Sequence, residues 1–170
     1  RDSLDNKDEL TNIGLLASDM ADDEALIIFP EGTRFSTEKL GKAIAALSET
    51  APTRVKSASE LRSVLPPRTA GTLAALAESN ADIVICNHVG ISDISSLQQL
   101  RAAVPLQTEL KFKLWRTPRS EVNQTQFVQW LDAQWAIVDD WVTNNEDVTS
   151  PLSTPASFNA DETATTIEKA

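Results

Sequence analysis

Short runs of β-branched and apolar residues alternate with stretches of helical periodicity, and this alternation narrows the folds open to the chain. Residues 26–29, Leu26-Ile27-Ile28-Phe29, and residues 83–86, Ile83-Val84-Ile85-Cys86, read as buried strands. Leu110, Phe112 and Leu114 alternate with Lys111 and Lys113, the pattern of a strand with one wet face. Around them, Leu10, Ile13, Leu16, Ala17 and Met20 recur at helical spacing over residues 7–21, with Asp8, Glu9 and Asp19 outside. Ser36 is placed to cap a helix carrying Leu40, Ala43, Ile44 and Leu47. After a loop at 52–56, Ser57-x-x-Glu60 has the capping-box pattern for a short helix with Leu61 and Val64. Residues 72–79 are helical in pattern, and a further short helix carries Ile94, Leu97 and Leu100. Strands interleaved with helices predict an α/β layered domain with a mostly parallel sheet flanked by helices.

Segment 121–142 places Phe127, Trp130, Leu131, Trp135, Val138, Trp141 and Val142 at intervals of three and four. A stripe of this kind is expected to bury itself against the sheet; the alternative is docking of an acyl chain or a membrane interface. Asp132, Asp139 and Asp140 are expected on the opposite, solvated face. Beyond residue 142 the chain turns polar and acidic, with Pro151 and Pro155 and too little apolar content to fold. Residues 1–142 are therefore expected to form the domain, and 143–170 a disordered acidic tail.

A chain of 170 residues with 41% hydrophobic content can bury one sizeable core. Its formal net charge of −10 argues against a nucleic-acid partner and against a polybasic membrane patch, although a local Arg cluster can still dominate the potential in one pocket. The single cysteine, Cys86, stands in an apolar run and reads as a small core residue, so neither a disulfide nor a Cys-based metal site is expected within the chain, which fits a reducing compartment. Nothing approaches 18 consecutive apolar residues, so no segment of the chain is expected to span a membrane.

The chemistry concentrates after the first apolar run, in Phe29-Pro30-Glu31-Gly32-Thr33-Arg34. Pro30 stops the strand and fixes φ, while Gly32 permits a tight turn or a close approach. Arg34 offers a planar fork of donors for phosphate or carboxylate, Thr33 adds a hydroxyl, and N–H groups near Gly32 are candidates for an anion nest. Glu31 must then orient the Arg or meet a substrate hydroxyl. The plainer reading is a strand-to-helix turn with a surface Glu–Arg pair.

The hexapeptide FPEGTR, continued by Phe35-Ser36, resembles the signature block of the glycerophospholipid acyltransferases, the family that includes 1-acylglycerol-3-phosphate acyltransferase. The resemblance implies transfer of an acyl group from acyl-CoA or acyl carrier protein to a glycerol hydroxyl. It implies that Glu31 and Arg34, with Gly32 and Thr33 between them, help to hold the glycerol phosphate. Arg1, 28 positions before Phe29, matches the spacing of a second, phosphate-contacting block. Leu65-Pro66-Pro67-Arg68-Thr69-Ala70-Gly71 resembles the family segment in which a basic residue and a Gly precede a helix packed behind the site, which makes Arg68 a candidate ligand. The chain thus resembles the C-terminal part of such a domain. The resemblance further implies a phosphorylated glycerolipid acceptor, no cofactor beyond the acyl carrier, no metal, and action at the cytoplasmic face of a membrane.

The family's catalytic His-x4-Asp block lies upstream of the block that Arg1 matches, so these 170 residues are expected to lack the base and to be inactive alone. Asn87-His88-Val89-Gly90-Ile91-Ser92-Asp93 does contain His-x4-Asp, but after FPEGTR instead of before it. A His at a strand end and an Asp early in the next helix can meet through an imidazole N–H, so His88 and Asp93 are the candidate dyad if the chain uses a His base at all. Two alternatives stand beside the acyltransferase: a non-catalytic phosphate- or phospholipid-binding module, and an ester hydrolase using His88 and Asp93.

Overall fold

A computed structural model describes residues 3–90 and 109–146, together with Gln98, Arg101 and Val104. Helix α1 (Ser3–Ser18) leads through an irregular stretch to α2 (Thr37–Thr50), a 3-10 turn at Pro52–Arg54, α3 (Val55–Ser59) and α4 (Thr69–Glu78). Strands β1 (Ile83–Val89) and β2 (Lys111–Thr117) follow, then 3-10 turns at Arg119–Glu121 and Gln124–Gln126, and the long helix α5 (Phe127–Glu146). The short helix expected around Ile94, Leu97 and Leu100 lies outside the described residues, as does the tail beyond Glu146.

The sheet overturns the expected architecture. β1 and β2 pair antiparallel, with Ile83 opposite Thr117 and His88 opposite Phe112, and this is the whole of the sheet among the described residues. A mostly parallel sheet flanked by helices is therefore not the fold. One reason is that residues 26–29 join no ladder. Four apolar residues need neighbouring strands on both sides to bury both faces, and here Ile27 is 75% and Phe29 83% exposed. The end of the run is instead fixed by its turn, where the Pro30 carbonyl accepts the Arg68 N–H at 2.8 Å.

Helix α5 is the spine of the core. Phe127, Leu131, Trp135, Val138 and Val142 are buried along one stripe, against Leu40 of α2, Leu76 of α4, Ile85 and Val89 of β1, and Leu61, Val64 and Leu65 of the segment before α4. Each fully buried aliphatic or aromatic side chain of this set contributes about 1.5–3 kcal/mol. The expected burial of the aromatic stripe is what the helix does, with Trp130 and Trp141 half-buried at its margin. The acidic residues divide differently from the expectation. Asp140 is solvated, but Asp139 is buried and Asp132 nearly so.

Asp139 is buried because the chain around residues 62–64 leaves its N–H groups without a ladder, and buried donors require acceptors. Its Oδ1 accepts the N–H of Arg62 at 2.8 Å, of Ser63 at 2.7 Å and of Val64 at 3.3 Å. Residues 61–64 are accordingly an irregular loop clamped onto α5, and the helix expected to start at a Ser57 cap and carry Leu61 and Val64 does not form: Ser57 lies inside α3, which begins at Val55 within the expected 52–56 loop and ends at Ser59. Asp132, two helical turns earlier, makes a two-point pair with Arg54 through Nε at 2.8 Å and Nη2 at 2.6 Å, and the same Nη2 donates to the Pro67 carbonyl at 2.9 Å. Arg119 closes the other end of the domain by donating to the carbonyls of Leu76 and Ser79, the last turn of α4.

Strand β2 reverses its expected orientation. Phe112 and Leu114 are 57% and 61% exposed, whereas Trp115, of opposite parity, packs toward the core. The partner register determines this, because β1 buries Ile85, Asn87 and Val89 toward α5 and so turns Val84, Cys86 and His88 outward beside Arg116, Leu114 and Phe112. Cys86 is thus exposed, not a core residue. Helix α1 packs along α4, burying Gly14 and Ala17 while Leu15 and Leu16 remain exposed.

Candidate anion-binding site

The residues between the first apolar run and α2 fold into a turn with a defined cause. Pro30 and Glu31 occupy the two central positions, the Gly32 N–H donates to the Phe29 carbonyl at 3.0 Å, and Gly32 has φ +68°. Pro at the first central position and Gly at the last is the preferred chemistry for such a turn. That bond also consumes the Gly32 N–H, which removes it from any anion nest.

The turn is joined to the segment carrying Arg68 in three ways. Pro30 accepts the Arg68 N–H, Glu31 Oε2 accepts the Leu65 N–H at 3.0 Å, and the Arg68 guanidinium lies over Gly32. A Cβ at position 32 would stand 3.0 Å from Arg68 Cζ and 3.1 Å from its Nη1, so only glycine lets the guanidinium settle there without displacement. The two sequence segments singled out for phosphate chemistry therefore meet in space.

Glu31 faces inward, away from the role of substrate contact or Arg partner expected for it. Burial pushes its carboxyl above the ordinary carboxylate range, opposed by the Leu65 N–H, then by the Trp135 indole, with the Asp139 charge adding to the rise. The indole Nε1 is buried and makes no hydrogen bond of good geometry, so its pull on the carboxylate is that of a nearby dipole. Glu31 is the tether that holds the turn against the core.

Arg34 and Thr33 remain exposed on the outer side of the turn. There the sequence reading missed a residue. Lys39, in the first turn of α2, reaches back to donate to Thr33 Oγ1 at 2.9 Å and to the Arg34 carbonyl at 3.0 Å. The signal was present in the helix cap. Ser36 Oγ accepts the Lys39 N–H at 3.3 Å, so Lys39 occupies the position that a capping box gives to Glu or Gln. Among the described residues, Arg34, Lys39 and Arg68 pair with no carboxylate, while the other guanidinium and ammonium groups nearby do: Lys42 with Glu38, and Arg54 with Asp132. Three cations without a paired carboxylate, on the turn segment, the first turn of α2 and the segment joined to them, are the kind of donor set an anion requires, in a chain whose overall charge is −10.

His88 is on neither of the segments that meet at the turn. It stands within β1 and not in a loop at its end, on the exposed face, with its ring 6.1 Å from that of Phe112. Asp93 and Arg1 lie outside the described residues. Among the described residues no cluster of His, Cys, Asp or Glu is arranged to hold a metal ion, and no helix is long and apolar enough to cross a membrane. Comparison with protein-family models, with curated proteins and with solved structures finds no match to this chain.

Proposed function

We propose that the turn at residues 30–34 and Arg68 are the acceptor-phosphate half of an acyltransferase site of the glycerophospholipid type. The observation that carries this reading is the Arg68 guanidinium seated over Gly32, two residues before the exposed Arg34 in the same turn segment, with Glu31 tying that segment to the one that delivers Arg68. Two planar forks of donors on separate segments suit the several oxygens of one phosphate monoester. The acceptor is a glycerol phosphate such as lysophosphatidic acid, and the donor a thioester of coenzyme A or acyl carrier protein. In the reaction the acceptor hydroxyl adds to the thioester carbonyl. The new C–O bond replaces the C–S bond, and the hydroxyl proton passes through a base to the departing thiolate.

Within this chain the site binds and orients; it supplies no base. His88, the chain's one histidine, lies on the exposed sheet face beside Phe112, which also favours a second reading, in which the chain holds a phosphorylated lipid without transforming it. The acceptor's acyl chain brings the protein to a membrane surface, at its cytoplasmic side. The test is a titration of short-chain lysophosphatidic acid into the protein, followed by an acyl-CoA transfer assay. Saturable binding lost in Arg34→Ala and Arg68→Ala is the expected result, and absence of binding removes both readings. Turnover abolished by His88→Ala would instead make His88 the base and the chain a complete enzyme.

A further inference from the structure

Lys39 breaks a local rule at the edge of this site. The N-terminal turn of a helix carries partial positive charge, which favours acidic residues there and disfavours cations. In α2 the rule is met by Glu38, whose carboxylate is taken by Lys42 at 2.6 Å, and is broken by Lys39 one residue later. A lysine is free to turn such a side chain into solvent. Lys39 instead folds back over the cap, and its ammonium is held by two neutral oxygens, the Thr33 hydroxyl and the Arg34 carbonyl. Neither oxygen neutralises it. The two charge-assisted hydrogen bonds hold the cation in place, but they leave it against the helix field without a counter-charge. Its position makes sense when an anion arrives, and local rules are most often broken at functional sites.

Resting on the phosphate-site reading, we infer that Lys39 is a third binding cation, and that it sets the site's preference for a doubly charged phosphate monoester over a singly charged anion of the same shape. Arg34 and Arg68 supply forked hydrogen bonding, which a sulfate ester satisfies as well as a phosphate ester. The ammonium is a compact point charge with a third N–H not engaged by Thr33 or Arg34, and its attraction scales with the ligand's charge.

Methyl phosphate and methyl sulfate test this at pH 8, where they share a tetrahedral shape and differ by one unit of charge. The unmodified chain should bind methyl phosphate the more tightly. Lys39→Met should weaken methyl phosphate about tenfold or more while affecting methyl sulfate far less, as expected for loss of one charge-assisted contact. Lys39→Arg should restore most of the preference, and Lys42→Met, three residues on in the same helix, should leave it unchanged. Equal weakening of both ligands by Lys39→Met would reduce Lys39 to a strut for the turn and overturn the inference. So would an unchanged preference in Lys39→Met, and if Arg34→Ala and Arg68→Ala still abolish binding, the phosphate site itself stands without it. No binding of methyl phosphate by the unmodified chain overturns both.

Discussion

Glu31 and Leu65 are 34 positions apart in sequence, and the Glu31 carboxylate accepts the Leu65 N–H at 3.0 Å. This bond, with the Arg68 N–H to Pro30 carbonyl bond beside it, makes the position of Arg68 a consequence of the turn's conformation. The carboxylate is held where burial penalises its charge. Its folded-state pKa is raised, so ionisation costs stability as pH rises through that raised value, and below the unfolded-state value both states are protonated and the cost vanishes. Glu31→Gln keeps an acceptor for Leu65 and removes the charge. It should be more stable than the unmodified chain at neutral pH and no more stable at pH 3, as read by denaturant titration. Glu31→Ala, which orphans the Leu65 N–H, should lose about 1–3 kcal/mol at both. A loss in Glu31→Gln as large as in Glu31→Ala would mean the charge itself is needed.

Asp139 presents a different balance, because one oxygen serves the N–H groups of Arg62, Ser63 and Val64. Asp139→Ala should destabilise the fold by about 1–3 kcal/mol, the cost of leaving the buried Val64 N–H without an acceptor, since the N–H groups of Arg62 and Ser63 are only partly buried and can turn to water. Asp139→Asn retains an acceptor and should lose less. Equal melting temperatures for Asp139→Ala and the unmodified chain would show that water replaces the carboxylate.

Gly32→Ala combines two penalties. A left-handed backbone costs a non-glycine residue about 1–2 kcal/mol, and the new methyl group would press on the Arg68 guanidinium. Stability should fall by that amount, and anion affinity should fall with it because Arg68 is displaced. Loss of stability with undiminished affinity would separate Arg68 from the site.

How far this was legible in sequence differs from element to element. The Ser36 cap of α2 and the buried stripe of α5 were readable because a cap residue and a 3.6-residue period are local signals. The turn at Pro30–Gly32 was readable for the same reason, whereas the meeting of its segment with that of Arg68 is non-local and was expected from the family resemblance alone. The orientation of β2 was not, since which parity faces the core depends on the register with β1 and on where α5 lies, and both are non-local. Residues 26–29 carry a strand's composition, yet a strand exists only where another edge accepts its hydrogen bonds. Asp139 looked like a solvated charge because its partners lie 75 to 77 positions away. Glu31 misled in a similar way: a carboxylate in a cationic motif suggests a ligand contact, and only the fold shows it turned to the backbone of Leu65.

The outer face of the sheet gives a prediction independent of the site. Val84, Phe112 and Leu114 expose an apolar strip, and exposed strands with such faces promote association. Replacing Phe112 and Leu114 by Thr should reduce light scattering at high protein concentration while leaving the melting temperature within a few degrees. A large fall in melting temperature would mean that these side chains pack in solution.

The phosphate site is tested most directly by calorimetric titration of short-chain lysophosphatidic acid into the unmodified chain, Arg34→Ala and Arg68→Ala. Saturable binding by the unmodified chain, weakened about tenfold or more in each variant as each loses a charge-assisted hydrogen bond, is the expected result. Absence of binding, or equal affinity in all three proteins, contradicts the site.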